Sequence, residues 1–162
     1  MHKEANTGRA RRSGEQTKWA ATFLVASELV RRGWQVGLTH GNTETADILA
    51  SHPESGRKIS VDVKGIHAPG HWFGEGLLGQ KRTRPDHHMV FVALPDPPGA
   101  ARIYIIPGRT AVQMAEANRA RASTWAKPVP SLWEKPPKGH PDFESLQRFR
   151  DAWGLLRGPQ SG

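Results

Sequence analysis

The sequence predicts an α/β fold, with a mixed sheet of four to five strands flanked by helices. Residues 14–32 repeat apolar side chains at helical spacing, residues 59–64 alternate apolar and polar side chains, and residues 89–94 are continuously apolar. The first pattern is typical of an amphipathic helix, the second of a half-buried strand and the third of a strand buried on both faces. A chain of 162 residues has room for one ordinary domain.

The first helix is predicted over residues 14–32. Two arginines in its last turn and Gly33 after it are typical of a helix C-terminus. Glu15 lies one turn before the first apolar residue and is predicted to project toward the buried face, although the helix dipole also favours an acid there. The predicted buried stripe consists of Trp19, Phe23, Ala26 and Val30, with Leu29 alongside.

Three strands are predicted next, at residues 34–39, 47–50 and 59–64. Side chains alternate between the two faces of a strand, so one face of the third strand can pack on a helix. If the second and third strands pair as a hairpin, Asp47 lies beside Asp62. The helix-facing residues would be Ile59, Val61 and Val63, and the opposite face would carry Ser60, Asp62 and Lys64.

The second half of the core is predicted to add a parallel strand, and this requires a crossover within residues 65–85. A short helix at residues 77–82 is compatible with that segment, although its glycines disfavour a long one. The strands are predicted at residues 89–94 and 102–106. A second helix is predicted over residues 110–121, with a threonine as its N-cap.

The sequence divides into three parts around this core. Residues 1–13 are predicted to be a disordered basic arm, residues 14–122 the core, and residues 123–162 a Pro-rich connector followed by a helix. That helix is predicted to begin at the cap Asp142, to end at Gly158 and to dock on the core, with a dimer contact as the alternative. Its apolar stripe would be Phe143, Leu146, Phe149, Trp153 and Leu156.

Composition narrows the class of function. The net charge of +8 favours a polyanionic partner, nucleic acid before an anionic membrane, with solubility alone as the simpler explanation. The sequence has no apolar run near 18 residues, so no membrane span is expected. The absence of cysteine excludes disulfides and thiolate zinc sites and is compatible with the cytoplasm, and the eight histidines lack the usual zinc spacings.

Three side chains indicate a reaction. Two carboxylates, Asp47 and Asp62, suit a hard cation such as Mg²⁺, with Mn²⁺ as a substitute. Lys64, two positions after the second acid, could orient a metal-bound water or stabilise charge on a pentacovalent phosphorus. Such a site fits the metal-assisted attack of water on a phosphodiester.

With Glu15 on the first helix, these residues resemble the PD-(D/E)XK nuclease superfamily, which has the restriction-endonuclease-like fold. The resemblance covers residues 14–107 and is nearest to small single-domain members such as Holliday-junction resolvases. Two positions depart from the pattern: Ala46 stands where many active members have proline, and the second acid is Asp rather than the commoner Glu.

The resemblance implies a metal-dependent endonuclease that hydrolyses DNA phosphodiesters, in which Asp47, Asp62 and Glu15 bind the metal and Lys64 is catalytic. A homodimer is compatible with it, because many relatives cut two strands as dimers. A catalytically inactive DNA-binding or scaffolding protein on the same fold is the alternative. The basic cluster near Trp72 and Phe73 is predicted to contact the DNA backbone through Lys81, Arg82 and Arg84.

Overall fold

In a computed structural model of the chain, residues 12–39, 46–67, 84–95, 98–122 and 147–158 are described. Within these ranges the chain forms an α/β fold with one mixed five-stranded sheet, as predicted. No helix in these ranges is long and apolar enough to cross a membrane. The elements are α1 (Gly14–Arg31), β1 (Gln35–Leu38), β2 (Ile48–Ser51), β3 (Lys58–His67), β4 (His87–Leu94), β5 (Arg102–Pro107), α2 (Gly108–Ala122) and the 3-10 helix α3 (Trp153–Arg157).

The five strands lie side by side in sequence order, but they do not all run the same way. β1, β2 and β3 form an antiparallel meander, β4 pairs parallel to β3, and β5 pairs antiparallel to β4. A parallel pair needs a crossover connection. The predicted crossover helix at residues 77–82, together with Lys81 and Arg82, lies outside the described residues.

Helix α1 begins with a capping box. The Ser13 hydroxyl accepts from the Gln16 backbone N–H at 3.1 Å, and the Gln16 side chain accepts from the Ser13 N–H at 2.9 Å. These two bonds satisfy backbone donors that a helix start otherwise leaves without partners. At the other end Gly33 adopts a positive φ of 86°, which favours glycine. The prediction of a helix over residues 14–32 is confirmed.

The predicted buried stripe of α1 is only partly right: Leu29 is buried and Ala26 packs against the core, but Phe23 and Val30 do not. Phe23 and Val30 are 56% and 58% exposed, and Trp19 stacks on Phe23 with ring centroids 5.5 Å apart. The reason lies in Gly65 of β3, where a Cβ atom would lie only 2.6 Å from the Thr17 carbonyl oxygen. Small side chains are needed where a helix approaches a strand this closely. The residues of α1 that are buried are Thr17, Ala21, Thr22, Val25 and Leu29.

The core has two layers, one on each face of the sheet. Between α1 and the sheet lie Ile59, Val61 and Val63 of β3, as predicted from their alternation. All eight residues of β4 are buried, which agrees with the prediction of a central strand. The residues of β4 and β5 that face away from α1 are also buried, and α2 packs against both strands there. This helix begins at Gly108, two residues before the predicted threonine cap.

The C-terminal segment docks on the core, but it is not the continuous helix that was predicted. Arg150 pairs with Tyr104 at the outer edge of β5, and Asp151 adopts a positive φ of 50°, so helical geometry is interrupted. The chain then forms α3, which buries Leu156 and ends at Gly158 as predicted. The prolines of the predicted connector and the predicted cap Asp142 lie outside the described residues.

Candidate functional site

The candidate site lies on β3, at the residues whose side chains alternate with the helix-facing valines. Asp62 is mostly buried, with 16% of its side chain exposed, whereas Lys64 is exposed. Ser60 is intermediate. The period of a strand therefore directs a serine, a carboxylate and an ammonium group to the face opposite α1, and they become more exposed along the strand.

Asp47 reaches β3 from the preceding strand. It comes directly before β2, whose first residue, Ile48, pairs with Val61, so the antiparallel register continues toward Asp62. The Asp47 Oδ2 atom accepts a hydrogen bond from the Val63 backbone N–H at 2.9 Å. Its side chain is 24% exposed. The structure thus places Asp47 against the backbone position next to Asp62, where the hairpin prediction put it.

A lysine on α1 faces the same carboxylate. The Lys18 Nζ atom lies 3.2 Å from Asp47 Oδ1, so Asp47 is held by an ammonium group on one oxygen and by a backbone amide on the other. Lys18 is itself 57% exposed. Sequence patterns do not indicate this ion pair, because the spacing of Lys18 from Asp47 carries no local signal.

A histidine on β4 faces the second carboxylate. His87 pairs with Ser60 in the parallel register, and the Ser60 Oγ atom lies 3.0 Å from His87 Nδ1. The other ring nitrogen, Nε2, lies 3.4 Å from Asp62 Oδ2. Only 7% of the His87 side chain is exposed. Sequence patterns do not indicate this contact, because it depends on the parallel register of β3 and β4 across the crossover.

His88 points to the other face and has a different environment. Burial lowers the pKa of the His88 imidazole from 6.5 to about 4, and the nearby charges of Arg57 and His87 act in the same direction. Its Nδ1 atom lies 3.3 Å from the Asp86 carbonyl oxygen, which opposes the shift. His88 is therefore a neutral core residue near neutral pH and is not part of the candidate site.

Glu15 stands apart from these side chains. It is exposed on the first turn of α1 rather than buried as predicted. Among the described residues, no three His, Asp or Glu side chains lie close enough to hold one metal ion together. The structure therefore brings Asp47 and Asp62 to one strand position but does not add Glu15 to them.

The donor atoms present fit a hard divalent cation. Mg²⁺ is commonly bound through one or two carboxylates, while water and substrate phosphate complete its coordination. Asp47 and Asp62 supply two such carboxylates on neighbouring strands. Of the predicted DNA-contacting residues, Arg84 is exposed in the turn before β4, where its carbonyl accepts from the His87 N–H at 3.1 Å.

The site face of the sheet is open over its antiparallel half. A groove of about 480 Å³ lies there, and Leu49, Ser60 and Asp86 are among the residues that line it. Leu49 is 49% exposed. The groove reaches β3 at Ser60, and Asp47, Asp62 and Lys64 are not among the residues that line it.

Comparison with known proteins identifies a structural neighbour. No family model and no curated protein matches the sequence. Among solved structures, the bacterial homing endonuclease I-Ssp6803I superposes with a TM-score of 0.53 and 16% sequence identity. The match covers 90% of this chain and 95% of the other. At this identity the likeness shows a shared fold, so the mixed five-stranded sheet with its two flanking helices is a nuclease-like α/β fold.

Proposed function

We propose that this protein is a metal-dependent endonuclease that hydrolyses DNA phosphodiester bonds, with an active site of the PD-(D/E)XK type. One observation carries the proposal: two mostly buried carboxylates lie at adjacent positions, Asp62 on β3 and Asp47 directly before β2 with a hydrogen bond to the β3 backbone, in a fold shared with a homing endonuclease. Burying acids at one strand position has a cost, which a bound cation offsets. The net charge of +8 supports a polyanionic substrate.

Each residue of the proposed active site would have a separate role in the reaction. Asp47 and Asp62 would hold Mg²⁺, or Mn²⁺ in its place, and the bound ion supplies Lewis acidity and a more acidic water. Lys64 lies on the same face as Asp62, and its exposed ammonium group would orient the attacking water and stabilise negative charge on the phosphate. Glu15, in the first turn of α1, would contact the metal ion through a water molecule. Lys81, Arg82 and Arg84 would hold the DNA backbone.

A second candidate is a DNA-binding protein that does not cleave. It is favoured by the ion pair between Lys18 and Asp47, which neutralises one of the two acids without a metal. It is also favoured by the position of Glu15 away from both acids. This candidate predicts salt-sensitive DNA binding that does not depend on divalent cations.

Cleavage of a DNA panel tests the proposal. Linear duplex, single strand, flap and four-way junction are incubated with Mg²⁺, Mn²⁺ or EDTA, using the wild type and Asp62→Asn. We expect metal-dependent products that the variant does not form. Asp151→Asn is the matched control, since Asp151 is exposed and asparagine tolerates its positive φ. Salt-sensitive binding without products in any metal would establish the second candidate.

A further inference from the structure

His87 has a feature that the proposed site does not use. It is a histidine with 7% of its side chain exposed, and its Nε2 atom has no hydrogen-bond partner among the described residues. A buried ring nitrogen without a partner is costly and calls for an explanation. This atom lies 3.4 Å from Asp62 Oδ2. The two atoms are close enough for an ion pair, but they do not form a hydrogen bond.

The separation of these two atoms matches that of two ligands on one metal ion. With bonds of about 2.1 Å, neighbouring ligands of a tetrahedral or octahedral ion lie about 3.0 to 3.4 Å apart. A carboxylate oxygen and an imidazole nitrogen at this separation, with no hydrogen bond between them, could both bind one cation that lies to the side of the line joining them. The parallel register fixes both side chains on the same face of the sheet.

The other ring nitrogen of His87 is already placed for such a role. Ser60 Oγ lies 3.0 Å from Nδ1 and can accept its proton, and this leaves the Nε2 lone pair available. Metal-bound histidines usually donate their second N–H to an oxygen acceptor, which fixes the tautomer and the ring orientation. Ser60, His87 and Asp62 therefore have the order of an orienting residue, a nitrogen ligand and an oxygen ligand.

We infer that His87 is a metal ligand, and that the ion held with Asp62 is a transition metal such as Mn²⁺ in preference to Mg²⁺. Imidazole favours first-row transition metals, whereas all-oxygen sites suit Mg²⁺. This inference rests on the proposed function for the location of the site and adds the identity of the metal. Asp62 of β3 and His87 of β4 would bind this ion directly, Asp47 would reach it through a water molecule, and further waters and phosphate oxygens would complete the shell.

The test reads nitrogen coordination directly. Mn²⁺ is added to the full-length protein, and pulsed electron paramagnetic resonance records the modulation that a ¹⁴N ligand imposes on the ion. We expect ¹⁴N modulation in the wild type and its replacement by ¹⁵N modulation when the histidines carry ¹⁵N. In His87→Gln we expect the nitrogen modulation to be lost. The same variant should lower the Mn²⁺ affinity at least tenfold and reduce the preference for Mn²⁺ over Mg²⁺.

His52→Gln is the matched control. His52 packs edge-on against Trp34 at 5.2 Å, at the far end of β2 from Asp47, so the modulation should persist. If His87→Gln does not fold, Ser60→Ala replaces it, with an expected loss of Mn²⁺ affinity of about tenfold or more. An unchanged affinity in Ser60→Ala would then overturn the inference.

Two further results overturn it: Mn²⁺ binding without nitrogen modulation in the wild type, and modulation that survives in folded His87→Gln. The first outcome would leave His87 as a residue that only positions Asp62. DNA cleavage separates this inference from the proposed function. Cleavage without nitrogen modulation would refute only the inference that His87 is a metal ligand. Nitrogen modulation without cleavage would refute the proposed nuclease function and would leave the metal site in place.

Discussion

The Lys18 ammonium lies 3.2 Å from Asp47 Oδ1, so one acid of the candidate site is paired with a cation supplied by the first helix. Asp47 also accepts a hydrogen bond from the backbone of Val63. Lys18 therefore occupies a position where a divalent ion bound to Asp47 would place its own positive charge. If Asp47 binds a metal ion as proposed, Lys18 and the ion would compete for the same carboxylate.

Removing this competitor should strengthen metal binding. In Lys18→Met, the affinity for Mn²⁺ without DNA is expected to rise by up to about fivefold, because partly exposed ion pairs are worth about 0.2 to 1 kcal/mol. Isothermal titration calorimetry measures the change. Lys58→Met, which removes an exposed lysine at the start of β3, should leave the affinity unchanged. A weaker affinity in Lys18→Met would show that Lys18 supports the metal-bound geometry instead.

Lys64 should matter for cleavage and little for binding. Lys64→Ala is expected to reduce the single-turnover cleavage rate by about 100-fold to 1000-fold, the usual cost of losing a group that stabilises transition-state charge. DNA affinity should stay within severalfold of wild type, since one exposed cation contributes little to it. Circular dichroism checks the fold of the variant. Equal losses of affinity and rate would reassign Lys64 to substrate binding.

The contact at Gly65 should resist any side chain. In Gly65→Ala the new methyl group would meet the Thr17 carbonyl oxygen at 2.6 Å and the Ala21 Cβ at 2.9 Å, so α1 would have to move. We expect the free energy of unfolding in urea to fall by about 1 to 3 kcal/mol, as in other overpacked cores. Gly37→Ala is the control, because its nearest neighbour, the Leu49 carbonyl oxygen, would be 3.8 Å away. Equal stability of the two variants would contradict this account.

Stability should fall in mild acid because of His88. Its pKa is about 4 in the folded protein and 6.5 when unperturbed, so between these values the unfolded chain binds a proton that the folded chain does not. The contribution of neutral His88 to the free energy of unfolding is then fully present above pH 6.5. It decreases as the pH falls toward 4, and the curve levels off below that pH. The full contribution is on the order of 3 kcal/mol.

Chemical denaturation at a series of pH values measures this dependence. His88→Leu should flatten the curve between pH 6.5 and 4, because leucine has no proton to bind. Arg57 lies close enough for its charge to disfavour a protonated His88, so Arg57→Met should raise the pKa of His88 in the folded protein, and the fall in stability should then be smaller and end at a higher pH. A slope that survives in His88→Leu would assign the acid sensitivity to other groups.

Local patterns predicted the elements that local chemistry determines. The helical spacing in α1, the alternation in β3 and the apolar run in β4 each specify one element, and the structure has all three. The positions of Asp62 and Lys64 on one strand face follow from the same alternation.

The remaining features depend on distant contacts. The buried side of α1 is selected by Gly65, and the C-terminal helix is interrupted because Arg150 pairs with Tyr104. The contact of His87 with Asp62 requires the parallel register of β3 and β4, which no local spacing encodes. Glu15 was placed on the buried side with the wrong stripe of α1, and its exposure follows from the same cause.

The C-terminal segment packs against residues that are synthesised much earlier, near α1 and β3. The Arg57 Nε donates to the Leu156 carbonyl at 2.6 Å, and the Arg32 guanidinium lies 4.2 Å from the ring centre of Trp153. Phe149 and Asp151 bond to the free edge of β5. A ribosome-bound chain that stops before Leu156 would therefore expose an apolar layer and an unpaired strand edge. Chaperone demand during translation should last until these residues emerge.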